Sequence, residues 1–213
     1  MEYPRYSYWH DTAVSIKNTA CESIDLNDKK FDILIIGAGI TGLTTAYLLK
    51  DLGLSIGIIE ATESGYGTTG YTTAKITVQH DLFYDNLINN FSFEEARQYL
   101  KANEEGIKLI KKIIAENNIQ CDYKEQTAYV YASSMDEVES LKKELKAYER
   151  LGIDGFYEDT VPLPNKAYGA IGIKNQAQFN PLKYLYSIYN ILKESSCEIY
   201  ENVRALDIRP HDE

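Results

Sequence analysis

The sequence predicts an α/β fold organised around a parallel β–α–β unit, and three observations carry that prediction. Residues 31–36, FDILII, form a short continuous apolar run of the kind found in strands buried on both faces of a parallel sheet. GAGITG follows at once, with glycines at 37, 39 and 42. A second apolar stretch, Leu54 to Ile59, then ends on an acid, Glu60.

The elements follow in order. Residues 1–30 are polar and irregular and read as an arm on the outside. After the glycines, Leu43, Ala46 and Leu49 recur at helical spacing, and Gly53 after Leu52 reads as a C-terminal cap. Ser92 with Glu95 forms a capping box for a helix running to about Asn117. TAYVYA, 127–132, reads as a strand. Ser134 with Glu137 opens a further helix, with Val138, Leu141, Leu145 and Tyr148 on one face before Gly152. GIDGFYEDTVPLPNKAYG is loop-rich, its Pro162 and Pro164 excluding helix. YGAIGIK is a strand. Asn180-Pro181 places a cap and a first-turn proline ahead of a helix with Leu182, Leu185, Ile188 and Leu192 inward. Glu198 to Ile208 reads as an edge or returning strand. No internal repeat or low-complexity tract occurs.

Each glycine has its own task in a Rossmann-like dinucleotide unit. Gly37 permits the strand-to-helix turn, Gly39 clears room for a pyrophosphate, and Gly42 lets the helix approach the sheet. The helix end from about Gly39, through Ile40 and Thr41, turns unpaired N–H groups and the positive end of its dipole toward phosphate. Glu60, with Ala61 beside it, is placed to accept hydrogen bonds from both ribose hydroxyls, and its charge disfavours a 2′-phosphate. Strand, glycines, helix, strand and acid in this order form a dinucleotide pattern, but the loop alone does not separate FAD from NAD. The next stretch, Gly67-Thr68-Thr69-Gly70-Tyr71-Thr72-Thr73-Ala74-Lys75, is small and hydroxyl-rich. It can lay N–H groups and hydroxyls along an anionic planar ligand, or form an ordinary surface loop.

Composition bounds the rest. Hydrophobic residues make up 44% and charged residues 25% of 213, the mix of a soluble globular protein with a sizeable core. No apolar run reaches the roughly 20 residues needed to span a bilayer, and MEYPRYSYWHD has no apolar signal-type core. A cytoplasmic protein is expected. The net charge of −10 argues against a nucleic-acid surface, which needs a basic stripe. Cys21, Cys121 and Cys197 lie far apart, as do His10, His80 and His211, so no metal site is expected. The 18 tyrosines have no evident functional pattern.

GAGITGLTTAYLL together with GTTGYTTAK and the following QH resembles the FAD-dependent oxidoreductases of the D-amino-acid oxidase and glycine oxidase superfamily. More narrowly, it resembles the bacterial subgroup in which a flavoprotein module precedes a C-terminal Rieske iron–sulfur domain. SYWHDT, ANEEGI, CDYKEQTAYVYA and AQFNPLKY fit the same pattern. The resemblance implies FAD as cofactor and a Rossmann-like FAD-binding domain with an inserted α+β substrate domain. Residues 31–80 would supply the first FAD-binding segment, 81–177 part of the substrate domain, and 178–213 the second FAD-binding segment. Gly37, Gly39 and Gly42 would cradle the pyrophosphate and Glu60 the adenosine ribose. From Gly67 onward, Thr68, Thr69 and Thr73 would touch phosphate or ribityl oxygens. Lys75 would place its cation near the reducible pyrimidine edge of the flavin, with a solvated lysine at a strand start as the other reading. Ala205 would clamp adenine through its backbone, with Val203 as the alternate.

No catalytic acid–base group stands out, as expected where the flavin itself takes hydride or electrons from the donor. The donor would be an unidentified small molecule, amine- or amino-acid-like. The electrons would pass to a redox partner or a C-terminal iron–sulfur domain. The chain ends sooner than the family pattern, and no Cys-x-His or Cys-x-x-His pair of a Rieske centre is present. The expectation is an N-terminal portion, poorly active alone, with the C-terminal part of the family fold and the cluster outside it. An NAD-binding dehydrogenase and a non-catalytic nucleotide-binding module remain the alternatives.

Overall fold

The computed structural model describes residues 7–13, 26, 29–161 and 166–210. Most of the expected N-terminal arm, with Cys21, and also Pro162, Pro164 and His211, lie outside the described residues. In chain order the elements are α1 (Tyr8–Thr12), β1 (Ile33–Ile36), α2 (Ile40–Leu49), β2 (Ile56–Ile59), β3 (Lys75–Ile76), α3 (Tyr84–Asn90) and α4 (Phe93–Glu116). They continue with β4 (Lys124–Tyr131), α5 (Val138–Leu151), β5 (Gly155–Glu158), β6 (Ala170–Gln178), α6 (Pro181–Lys193) and β7 (Glu198–Tyr200). Short 3-10 turns occupy Thr68–Tyr71 and Met135–Glu137. The predicted α/β class is observed.

The chain forms two compact units. The first comprises Met1–Thr73, Ile119–Cys121 and Asn180–Glu213; the second, Ala74–Asn118 and Asp122–Phe179. These bounds differ from the sequence expectation of 80/81 and 177/178. Lys75 and Ile76 pair with Gln178 and Ala177 in an antiparallel ladder, and Phe179 N–H donates to Ala74 O, which draws residues 74–80 into the second unit.

In the first unit a parallel sheet runs β1-β2-β7, with Ile33 opposite Ile56 and Gly57 opposite Glu198. All four residues of β2 are buried, as the middle strand of a parallel sheet requires. FDILII was expected to be buried on both faces. Instead Leu34 and Ile36 are 51% and 52% exposed, because the face of β1 they share is left uncovered by the described residues. The core is built by Leu43 and Ala46 of α2 with Leu182, Leu185, Ile188 and Leu192 of α6, all essentially inaccessible. Each buried Leu or Ile contributes about 1.5–3 kcal/mol. Helix α2 stops at Leu49, and Gly53 follows a turn later at φ +73°. Asn180 caps α6 as predicted: its side chain accepts from Leu182 N–H and Lys183 N–H, both at 3.1 Å, ahead of Pro181. The expected strand 198–208 ends at Tyr200, because Asn202 turns the chain at φ +60°.

The second unit is α+β. Strand β6 is flanked on one side by β4 and pairs with β3 and β5, all antiparallel. Strand β5 and helix α3 were not expected from the sequence; GFYE, read as loop, pairs with residues 170–173. Ser92 caps α4 as predicted, accepting from Glu95 N–H at 3.1 Å. The predicted Ser134 cap is replaced: Glu137 turns back to Ser133, whose N–H it accepts at 2.6 Å, and a 3-10 turn precedes α5. The core gathers Tyr84, Leu100, Leu141, Tyr148, Ile171 and Ile173. Two of the many tyrosines thus find a packing role, with Tyr84 and Tyr148 edge to face at 5.8 Å.

No helix among the described residues is long and apolar enough to cross a membrane.

Candidate functional site

The glycine loop leaves β1 and enters α2 within a few residues. Gly37 sits at φ +104°, which an L side chain rarely adopts, and its N–H donates to Ile59 O at 2.8 Å. A Cβ on Gly42 would stand 2.0 Å from Gly37 O, so only glycine lets the helix fold back on the loop. Gly39 is the N-cap of α2 and has no side chain to satisfy the first-turn donors. A Cβ there would lie 3.2 Å from Thr69 Oγ1. That hydroxyl accepts the Ile40 N–H at 3.0 Å, so the threonine-rich turn already meets the helix end. Thr41 is exposed on the first turn.

Glu60 closes the other side. Its Oε2 accepts from Ala38 N–H at 2.9 Å, and its Oε1 from Thr62 N–H at 2.9 Å and Thr62 Oγ1 at 3.0 Å. Partial burial opposes its charge, but hydrogen bonds from Ala38, Thr62 and Ala61 outweigh it and hold the carboxyl below its ordinary range. Val203 N–H donates to Glu60 O at 2.8 Å, bringing the segment that carries Ala205 to the end of β2. Val203 N–H is therefore engaged, whereas Ala205 is exposed.

The structure thus joins Gly37, Gly39, Ile40, Gly42, Glu60 and Thr69 into one constellation, with Ala61 at its edge. Gly67, Thr68 and Thr73 are exposed around the same turn. Lys75 belongs to the second unit. There it lines a cavity of about 460 Å³ on the sheet face, together with Thr77, Gln79, Gln126, Tyr129 and Gln176. Gln79 and Gln176 are committed to the framework, donating to Tyr148 OH and accepting from Val78 N–H. Lys75 makes no ion pair among the described residues. His80 lies 2.9 Å from Tyr99 OH, and burial, then the Lys75 charge, lower its pKa.

Sequence reasoning missed three parts of the arrangement. Gly65, at φ +81°, donates its N–H to Ala38 O and packs under Leu185; a Cβ there would be 2.5 Å from Leu185 Cδ2. Glu201 accepts the Ser64 N–H at 2.7 Å and pins the same loop. Helix α1 contacts the threonine turn. Only the glycines of SGYGTTG gave a local signal for any of these.

Chemically, the first unit offers a helix N-terminus whose dipole favours anions and, beside it, a charged carboxylate that accepts hydrogen bonds. No group of His, Cys, Asp and Glu suited to a metal ion occurs among the described residues.

A glycine-rich first turn and an acid-terminated second strand of a parallel sheet place the chain among the nucleotide-type α/β folds. The chain belongs to the FAD dependent oxidoreductase (DAO) family, whose model matches residues 32–213. It is 42% identical over 182 residues to the putative Rieske 2Fe-2S iron-sulfur protein YhfW of Bacillus subtilis, covering 85% of this chain and 36% of that protein. It is 26% identical over 121 residues to gamma-glutamylputrescine oxidoreductase of Escherichia coli, covering 57% of this chain and 28% of that protein. Its fold is similar to that of glycine oxidase from Bacillus cereus, with a TM-score of 0.64 and 20% identity, over 86% of this chain and 49% of the oxidase. The chain thus spans between about a quarter and a half of the length of these proteins.

Proposed function

We propose that this chain contributes the FAD-binding frame of an oxidoreductase that takes electrons from an amine- or amino-acid-like small molecule. One observation carries the reading. The glycine-capped end of α2 and the charged Glu60 are brought together by the Ala38 bond, which supports pyrophosphate donors and a ribose acceptor in one constellation. The reading is supported by the open space at Gly37 and by the close approach of α2 to the loop at Gly42, both of which suit a diphosphate.

In this reading the N–H groups at Gly39 and Thr41 bind the pyrophosphate, with the Ile40 N–H held by Thr69 Oγ1 beside them, Glu60 orients the adenosine ribose, and the backbone at Ala205 receives adenine. Gly67, Thr68, Thr69 and Thr73 line the ribityl side. When bound, FAD supplies a two-electron acceptor for the donor. Lys75 serves as the cation for the flavin's reducible edge, supported by its exposure and by its making no ion pair among the described residues. The amine or amino-acid donor is supported by what the gamma-glutamylputrescine oxidoreductase and the glycine oxidase are named for, and an iron–sulfur electron acceptor by the name of the Bacillus subtilis relative.

The test is calorimetric titration of the purified chain with FAD, ADP, FMN and NAD. FAD and ADP binding with FMN silent is the expected result. Binding of NAD in preference to FAD would overturn the reading.

A further inference from the structure

We infer that α1 is a brace for the cofactor turn, with Ser7 and Trp9 as positioning residues; this rests on the FAD reading above. The turn Thr68–Tyr71 is a single short 3-10 turn, and it presents Thr69 Oγ1 to Ile40 N–H at 3.0 Å. Helix α1 holds it at two carbonyls. Trp9 Nε1 donates to Thr72 O at 2.8 Å, and Ser7 Oγ donates to Gly70 O. Between these anchors the His10 ring lies against Gly70, where a Cβ would be 2.5 Å from His10 Cε1. Tyr71 flanks the ring at 5.1 Å.

Residues 63 positions apart in sequence are thus locked by hydrogen bonds to backbone carbonyls rather than by apolar packing alone. Carbonyls tied down at 70 and 72 fix the peptide planes of the turn, and with them the direction of the Thr69 side chain at the α2 N-terminus. The ligand that profits is the one that uses this end of the helix, a nucleoside diphosphate moiety. α1 itself touches no ligand in this account; it acts through the turn.

The chain contains a single tryptophan, Trp9, so its emission reports on the brace directly. The experiment titrates the chain with ADP, which does not absorb in the emission range, and follows Trp9 fluorescence beside calorimetry. The expected result is a saturable emission change with the calorimetric dissociation constant. Ser7→Ala should weaken ADP about fivefold, the size of one ordinary hydrogen bond, with the circular dichroism unchanged. ADP binding with Trp9 emission unmoved, or with equal affinity in a folded Ser7→Ala, overturns the brace and leaves the nucleotide reading standing. Failure of the unaltered chain to bind either ADP or FAD overturns the nucleotide reading, and the brace with it. The wild-type emission arm decides the matter even if the variant does not fold.

Discussion

Glu60 accepts a hydrogen bond from the backbone N–H of Ala38 at 2.9 Å, tying the end of β2 to the loop that leaves β1. The bond makes one carboxylate serve twice: it closes the loop and presents charge beside the α2 N-terminus. Glu60→Gln keeps the shape and removes the charge, so FAD affinity should fall by about 1–2 kcal/mol in calorimetry. Because the folded pKa of Glu60 lies below its ordinary value of 4.5, its contribution to stability is present above that value and is lost as pH falls through the folded pKa. The variant should lack that acid-side loss. Equal FAD affinity in the two proteins would remove Glu60 from the site.

Two glycines of the same region should behave oppositely. A Cβ on Gly42 meets Gly37 O at 2.0 Å, backbone against backbone, with nothing flexible to yield. Gly42→Ala should therefore destabilise the chain by about 2–3 kcal/mol in urea denaturation. Gly67 faces open space at an ordinary φ of −77°, and Gly67→Ala should stay within about 0.5 kcal/mol. A mild Gly42→Ala would mean that the helix can back away from the loop.

The threonines divide in the same manner. Thr69→Val strips the acceptor from Ile40 N–H at the first turn of α2, where Gly39 cannot substitute, and should cost about 1 kcal/mol of stability without ligand. Thr68, exposed, should tolerate valine within about 0.5 kcal/mol. Matching melting curves for the two variants would show that the Thr69 bond carries no net stability.

What was legible in the sequence was what local spacing encodes. Gly37, Gly42 and Glu60 announce themselves because a tight turn, a close approach and a strand-end acid need those residues at those offsets. Asn180-Pro181 and Ser92 with Glu95 are legible for the same reason: a cap is decided within one turn of helix. β5 and the pairing of β3 were not legible. Two residues at Lys75 and the run GFYE become strands only because β6 supplies the partner edge, a choice made across about a hundred residues for Lys75 and Gln178. The exposed face of β1 was hidden by composition, since FDILII reads the same whether one face or two is covered. Trp9 on Thr72 and Gly65 under Leu185 are long-range contacts with no periodic signature.

Glu144 gives the last prediction. It lies on the buried face of α5, completely inaccessible, and its carboxylate accepts from Phe83 N–H at 3.1 Å, Tyr84 N–H at 2.9 Å and Asp85 N–H at 2.8 Å. A side chain from one helix thus caps the start of another, where Phe83, the N-cap of α3, has no polar group to do so. Burial raises the Glu144 pKa, the three N–H groups oppose that rise, and the nearby Asp85 charge adds to it; the net shift is upward. An acid whose folded pKa is raised binds its proton more tightly in the folded state. Its contribution to stability is therefore fully present below the ordinary pKa of 4.5 and declines as pH rises from there through the folded value. Glu144→Ala leaves the three donors without an acceptor and should cost about 3 kcal/mol. Glu144→Gln is the sharper probe, because it cannot titrate. Its stability deficit relative to the unaltered chain should be largest near pH 4.5 and narrow as pH rises, with the other carboxylates cancelling in the difference. Urea denaturation of both proteins across that range measures it. Parallel stability curves would mean that Glu144 keeps an ordinary pKa in the fold, and that the three N–H groups fully offset its burial.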